Sequence, residues 1–192
     1  SKIRSIQDLS HVGSLGFRGE ALSSIAAVSQ VELRTKTADD LFGTHYLIEG
    51  GTEKKIEEIG ATDGTTFLIR QLFYNIPARR KFLKTPMTEA SHVNDVLMRL
   101  ALSHPEIALR FVNNGQEKLR TSGNGKIKDV IYQLYGRDVA ANLLEIHYEK
   151  NGIRLDGFLG KPIISRGNRT YENYFINGRY IRSGMVSKAI ED

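Results

Sequence analysis

The residues best suited to chemistry come early in the chain: Gly13-Ser14-Leu15-Gly16-Phe17-Arg18-Gly19-Glu20-Ala21-Leu22. Glycine recurs at every third position from 13 to 19, which lets a backbone approach a ligand where a side chain would intervene. Leu22, Ile25, Ala26 and Val28 then follow at helical spacing. A flexible loop feeding a helix start turns backbone N–H groups and the positive end of the helix dipole toward an anion. Arg18 adds a planar guanidinium suited to phosphate oxygens. This spacing fits a loop that closes over nucleotide phosphates, and equally a glycine-rich turn ahead of an ordinary amphipathic helix. The carboxylate of Glu20 would repel a bound anion, so it must point elsewhere or hold a cation.

A second stretch carries charge. Between residues 161 and 188, Lys161, Arg166, Arg169, Arg179, Arg182 and Lys188 stand against one acid, Glu172. That segment accounts for the whole formal net charge of +5. Cations on hairpins make sequence-independent contacts to phosphates, weakened by salt. Tyr171, Tyr174 and Tyr180 are placed to stack on bases. The alternative is an edge strand whose cations stay in water and discourage further pairing, with the tyrosines serving packing. A third group, Arg79, Arg80, Lys81 and Lys84, reads first as a solvated face whose Phe82 and Leu83 pack inward, with a dedicated phosphate site as the alternative.

Other chemistries find no support. There is no cysteine, which excludes disulfides and thiolate metal sites and fits a reducing compartment. The histidines at 11, 45, 92, 104 and 147 show no metal-ligand spacing. No run of 18 apolar residues exists to span a membrane as a helix, and no secretory signal stands at the start.

The elements that must position these residues read as α+β. Ile3, Ile6 and Leu9 suggest a short helix before the glycine loop. Residues 31–36 alternate as a strand, 44–49 and 54–59 flank Gly50-Gly51 as a hairpin, and 65–72 form a fourth strand after Asp63-Gly64. Four strands in succession predict an antiparallel meander packed on helices. Asn75 suits the cap of a helix with Pro77 in its first turn. Thr85-Pro86 opens a longer helix with Val93, Val96, Leu97, Leu100 and Ala101 on one face, ended by Pro105. Ile107, Leu109 and Phe111 lead into an Asn114-Gly115 turn. Residues 121–125 are the most linker-like, and the boundary is expected there. Beyond it come a helix on Ile127, Val130, Ile131 and Leu134, strands at 143–148 and 153–159, a hairpin about Asn177-Gly178, and a helix from 185 to 190.

Three words of the sequence go together: 16–22 (Gly-Phe-Arg-Gly-Glu-Ala-Leu), 64–66 (Gly-Thr-Thr) and 73–83 (Phe-Tyr-Asn-Ile-Pro-Ala-Arg-Arg-Lys-Phe-Leu). They resemble the MutL mismatch-repair ATPases of bacterial type, members of the gyrase B/Hsp90/histidine-kinase/MutL superfamily. A gyrase B relative lacks the 73–83 block. The resemblance implies a truncated Bergerat-type ATPase sandwich over 1–121, with a mixed, largely antiparallel sheet and helices. Part of a βαβ-type second domain like that of gyrase B would follow over 122–192.

It further implies that Lys2, Gly16, Phe17, Arg18, Gly19, Ala21, Leu22 and Thr65 contact ATP. Lys161, Arg166, Arg169, Arg179 and Arg182 are the implied DNA contacts, although a family position that can carry an arginine falls on Gly184. The family's general-base glutamate, its magnesium-binding asparagine and its adenine-reading aspartate are expected upstream of Ser1. No catalytic or metal residue is therefore assigned here. The expectation is an internal fragment, inactive as an ATPase and a doubtful binder of ATP and Mg2+ by itself, from an active parent. Sequence-independent DNA, a second copy of the parent, a mismatch sensor and a downstream nuclease or helicase are the implied partners, in the bacterial cytoplasm at the nucleoid. The other class left open is a basic, non-enzymatic DNA-binding or assembly module.

Overall fold

Alternating side chains and two-residue turns organise the first part of the chain. The computed structural model describes residues 20–191, so the helix expected on Ile3, Ile6 and Leu9 lies outside it. Helix α1 (Ala21–Ala27) runs into β1 (Gln30–Lys36), followed by β2 (Gly43–Glu49), β3 (Thr52–Ile59) and β4 (Gly64–Arg70). Gly50 and Gly51 have φ of +55° and +82°, the left-handed pair that lets a two-residue turn follow the twist of its strands.

The sheet is not the expected meander. Its order is β3-β2-β1-β4, antiparallel throughout. The fourth strand returns beside the first, as in a Greek key. Residues 60–63 make that crossing. They must span three strand spacings, about 14 Å, and an extended connection of this length reaches about 17 Å.

One face of this sheet carries a ladder of charge. Glu32 accepts from Arg34 Nε at 2.8 Å and from Arg70 Nη1 at 3.0 Å. His45 Nε2 stands 3.3 Å from Glu32, and its Nδ1 pairs with Glu57 at 2.9 Å. Hydrogen bonds from Arg70 and then Arg34 hold the Glu32 carboxyl below its ordinary range. Lys55, and after it His45, does the same for Glu57.

The molecule divides into two compact units after Lys84. The first closes with a short α2 (Pro77–Arg80). Asn75 does not cap it; the residue at that position is Ile76, and no side chain bonds there. Phe82 does not pack either, being 81% exposed.

In the second unit, α3 (Pro86–Ser103) starts on Thr85, whose hydroxyl accepts from the Thr88 N–H. The helix buries Ala101 and Leu102, while Val93 and Val96 of the expected face are exposed. Hairpin β5 (Arg110–Asn113) and β6 (Gln116–Arg120) turns on Asn114-Gly115. Helix α4 (Ile127–Tyr135) stops at Gly136, and α5 (Arg137–Ala141) follows. Then come β7 (Leu143–Lys150), β8 (Ile153–Gly160), a 3-10 turn (Pro162–Ile164), β9 (Tyr174–Ile176), β10 (Arg179–Ile181) and α6 (Gly184–Glu191). The core is Ala101, Leu102, Val130 and Ile131, joined by partly buried residues such as Leu134, Leu143, Phe158 and Phe175.

The expected 121/122 boundary falls among well-bonded residues. Thr121 is 4% exposed; its hydroxyl donates to Ile107 C=O and accepts from Leu109 N–H. Its own N–H donates to Leu109 C=O at 2.8 Å. Gly123 has φ of +69°, and a Cβ there would stand 2.6 Å from Ala108 N. Polar composition suggested a linker, but these groups find their partners inside the second unit.

Two predictions follow from these contacts. Thr121→Val keeps the shape but removes the partner of the part-buried Leu109 N–H and Ile107 C=O, and should cost about 1 kcal/mol in urea denaturation. Glu32, with its lowered pKa, stabilises the fold above the ordinary carboxylate pKa, and that contribution disappears as pH falls through the depressed folded value. Denaturation of wild type and Glu32→Gln should therefore differ most near neutrality and converge as pH falls through the depressed folded value. A gap independent of pH would contradict this.

Candidate functional site

Two places among the described residues bear on that chemistry. In the first unit, everything turns on the C-terminal end of α1. A helix leaves its last carbonyls without intrahelical donors, and here other segments supply them. Gly51 N–H reaches Ala26 C=O at 2.9 Å, and Phe73 N–H reaches Val28 C=O at 2.7 Å. The Asn75 side-chain amide donates to Ala27 C=O at 2.9 Å. Gly50 N–H closes on Ser29 C=O, and the fully buried Ser29 hydroxyl donates to Ile25 C=O. Asn75 is thus a cap, but of the helix fifty residues before it.

Of the residues expected to hold nucleotide, Lys2, Gly16, Phe17, Arg18 and Gly19 lie outside the described residues. Ala21 and Leu22 form the exposed first turn of α1. Thr65 is exposed on β4 opposite Thr35, with the two hydroxyl oxygens 2.8 Å apart. That pair lies five residues along β1 from Gln30, about 17 Å from the α1–β1 junction. Among the described residues, no group of three or more His, Asp or Glu side chains could hold a metal ion.

In the second unit, α3, the 169–174 segment, β10 and the start of α6 surround a cleft of about 520 Å³. Arginine and tyrosine alternate around it. The Arg99 guanidinium lies 4.3 Å from the centre of the Tyr180 ring, and Arg166 lies 4.1 Å from that of Tyr171. Tyr171 in turn meets Tyr135 at 4.5 Å between centroids. Arg182 Nε points at the Tyr180 hydroxyl from 3.4 Å. A stacked guanidinium keeps its in-plane N–H edge for a carboxylate or phosphate. Burial raises the Tyr135 hydroxyl pKa, with the Asn173 amide donating to its oxygen at 3.1 Å. Asp95 and Glu172 also line the cleft, so its positive character is moderate.

Arg169 and Arg182 line the cleft and Arg166 stacks on its wall, while Lys161 and Arg179 are not among its lining. Lys161 is exposed ahead of the 3-10 turn, its N–H held by Asn142 C=O at 2.9 Å. Arg179 is half-buried on β10. Tyr174 donates to Glu172 rather than standing open. Arg99 was missed. Its signal was a single arginine inside the apolar run from Val96 to Leu102, a place where a cation needs a partner.

Comparison with known proteins gives this arrangement its class. The fold matches the Aquifex aeolicus MutL ATPase domain complexed with ADP at a TM-score of 0.77 and 27% identity, covering 98% of this chain and 70% of that one. It also matches the ATPase domain of the mismatch repair endonuclease MutL of the same organism, at 0.71 and 26%, over 92% of this chain and 68% of the other. The α+β architecture is therefore that of a MutL-type ATPase domain. The family described as DNA mismatch repair protein, C-terminal domain, matches residues 131–192. DNA mismatch repair protein MutL of Agathobacter rectalis is 61% identical over all 192 residues, and that of Thermoanaerobacter pseudethanolicus 43%. The chain belongs to the MutL family of DNA mismatch repair proteins. It spans about 30% of the length of these curated relatives.

Proposed function

We propose that this chain serves an ATP-dependent switch that links mismatch recognition to strand excision. The observation that carries the reading is the anchored α1. Its C-terminal end is bonded to two separate turns, while its first turn follows in sequence on the glycine-rich stretch 13–19. A helix held at one end passes on a change at the other.

In this reading the backbone at Gly16, Phe17, Arg18, Gly19, Ala21 and Leu22, with Lys2 and Thr65, contacts ATP. The likeness to a domain complexed with ADP supports nucleotide as the ligand. Mg2+ would accompany it, and no residue of this chain is assigned to the ion. A base for water and a metal for phosphate charge are what hydrolysis needs, and this chain is assigned neither.

The second unit meets DNA without reading its sequence, through Arg166, Arg169 and Arg182 with Lys161 and Arg179. Arg99 joins them because its guanidinium lies in the same cleft. A homodimeric parent in the cytoplasm, acting with a mismatch sensor and a nuclease or helicase, completes the proposal. Ordering of the domains as 1–121 and 122–192 belongs to that parent's ATPase and second domains.

Two measurements test it. The purified chain should release no phosphate from ATP above a buffer blank; turnover abolished by Arg18→Ala would refute the assignment. Duplex binding across a salt series should show a falling log–log line, and Arg99→Ala and Arg182→Ala should each flatten its slope by about one. A response to salt that is already flat in the wild type removes DNA as the partner.

A further inference from the structure

The turn that grips α1 is itself strained. Gln71 (φ +53°) and Phe73 (φ +61°) are the only residues other than glycine and asparagine with left-handed backbone among the described residues. Each carries a Cβ, which that conformation crowds against the following carbonyl. Gln71 is exposed, so packing does not hold it there. Hydrogen bonds do: Tyr74 N–H to Gln71 C=O at 3.0 Å, Ile76 N–H to Phe73 C=O at 3.1 Å, and Phe73 N–H to Val28 C=O across the turn. Strain of this kind persists only where its surroundings over-determine it, and it concentrates at switching segments.

Continuity runs on from the same turn. The N–H groups of Arg79 and Arg80 both donate to Ile76 C=O, so the last two residues of α2 hang from the residue bonded to Phe73. Exposed Arg79, Arg80 and Lys81 follow within that helix and its end. Two bonds, from Phe73 N–H and the Asn75 amide, therefore tie the end of one helix to the start of another.

We propose that residues 71–75 form a latch: the bonds from Phe73 and Asn75 to the end of α1 hold the turn left-handed, and their release lets it relax and reorients α2 with its cations. Phe73 and Asn75 are positioning residues in this device. It deepens the reading of α1 as the helix behind a nucleotide loop, since movement of α1 is what would work the latch.

Hydrogen exchange on the 192-residue chain tests the latch without nucleotide. Asn75→Ala should raise exchange in residues 21–29 about fivefold, the factor for one lost hydrogen bond, and raise it comparably in 77–84. Adding Gln71→Gly, which removes the strain but keeps the backbone bonds, should leave the rise in 21–29 and abolish it in 77–84. Ser29→Ala, which loosens α1 from its other side, should reproduce the transmitted effect, and stands in if Asn75→Ala does not fold. A rise confined to 21–29, or transmission unaffected by Gln71→Gly, overturns the latch. A non-hydrolysable ATP analogue, added to the full-length parent protein, forms a separate arm. Failure to protect 20–29 there removes the nucleotide reading and leaves the exchange result on the latch intact.

Discussion

Five carbonyls at the end of a seven-residue helix set the terms for the first unit. Helices this short do not hold themselves in water, because nucleation costs more than so few bonds return. Helix α1 exists because the carbonyls from Ile25 to Ser29 are met by the Gly50-Gly51 turn, by the 73–75 turn and by the Ser29 hydroxyl. The constraint works in both directions. A Cβ on Gly50 would stand 2.9 Å from the Tyr74 hydroxyl, which would have to shift, and the φ of +55° there disfavours a side chain as well. One turn therefore presses on the other while both grip the helix. Sheet, helix and the block at 73–83 form one bonded assembly around that point.

The second unit answers a different problem, that of keeping arginines ordered on a surface. A free arginine side chain loses considerable rotamer entropy when a ligand fixes it. Here Arg99 and Arg166 lie on tyrosine faces before anything binds, so part of that loss is already met by the fold. The same stacking takes up faces of Tyr171 and Tyr180 that would otherwise accept a base. Phosphate and carboxylate edges are what this cleft can offer partners for, more than base planes.

Much of the architecture could be read from residue order, and the failures are specific. Hairpin turns were legible because Gly-Gly and Asn-Gly pairs carry their own backbone preference, and Gly50-Gly51, Asn114-Gly115 and Asn177-Gly178 lie where they were expected. Strand β4 was recognised but not its neighbour, because alternation in 64–70 fits an edge on either side of the sheet. Asn75 was recognised as a cap and assigned to the wrong helix: local spacing points forward to Pro77, whereas its amide reaches back to Ala27. Residues 121–125 looked like a linker because small polar residues also suit a buried turn with backbone partners. At the cleft, the cations between 161 and 188 were visible as a run of charge. Arg99 was not, since its company comes from a hairpin some eighty residues later.

The strand order also says when α1 can form. Sequence neighbours β1, β2 and β3 can zip locally, but β4 must travel across the whole sheet to pair with β1, and distant pairings are the slow ones. The residues that meet the Ala27 and Val28 carbonyls sit just beyond β4, so they arrive only after it docks. Helix α1, though first in the chain among the described elements, has all of these end carbonyls met only once β4 is in place. Its order is a certificate that assembly of the sheet has finished.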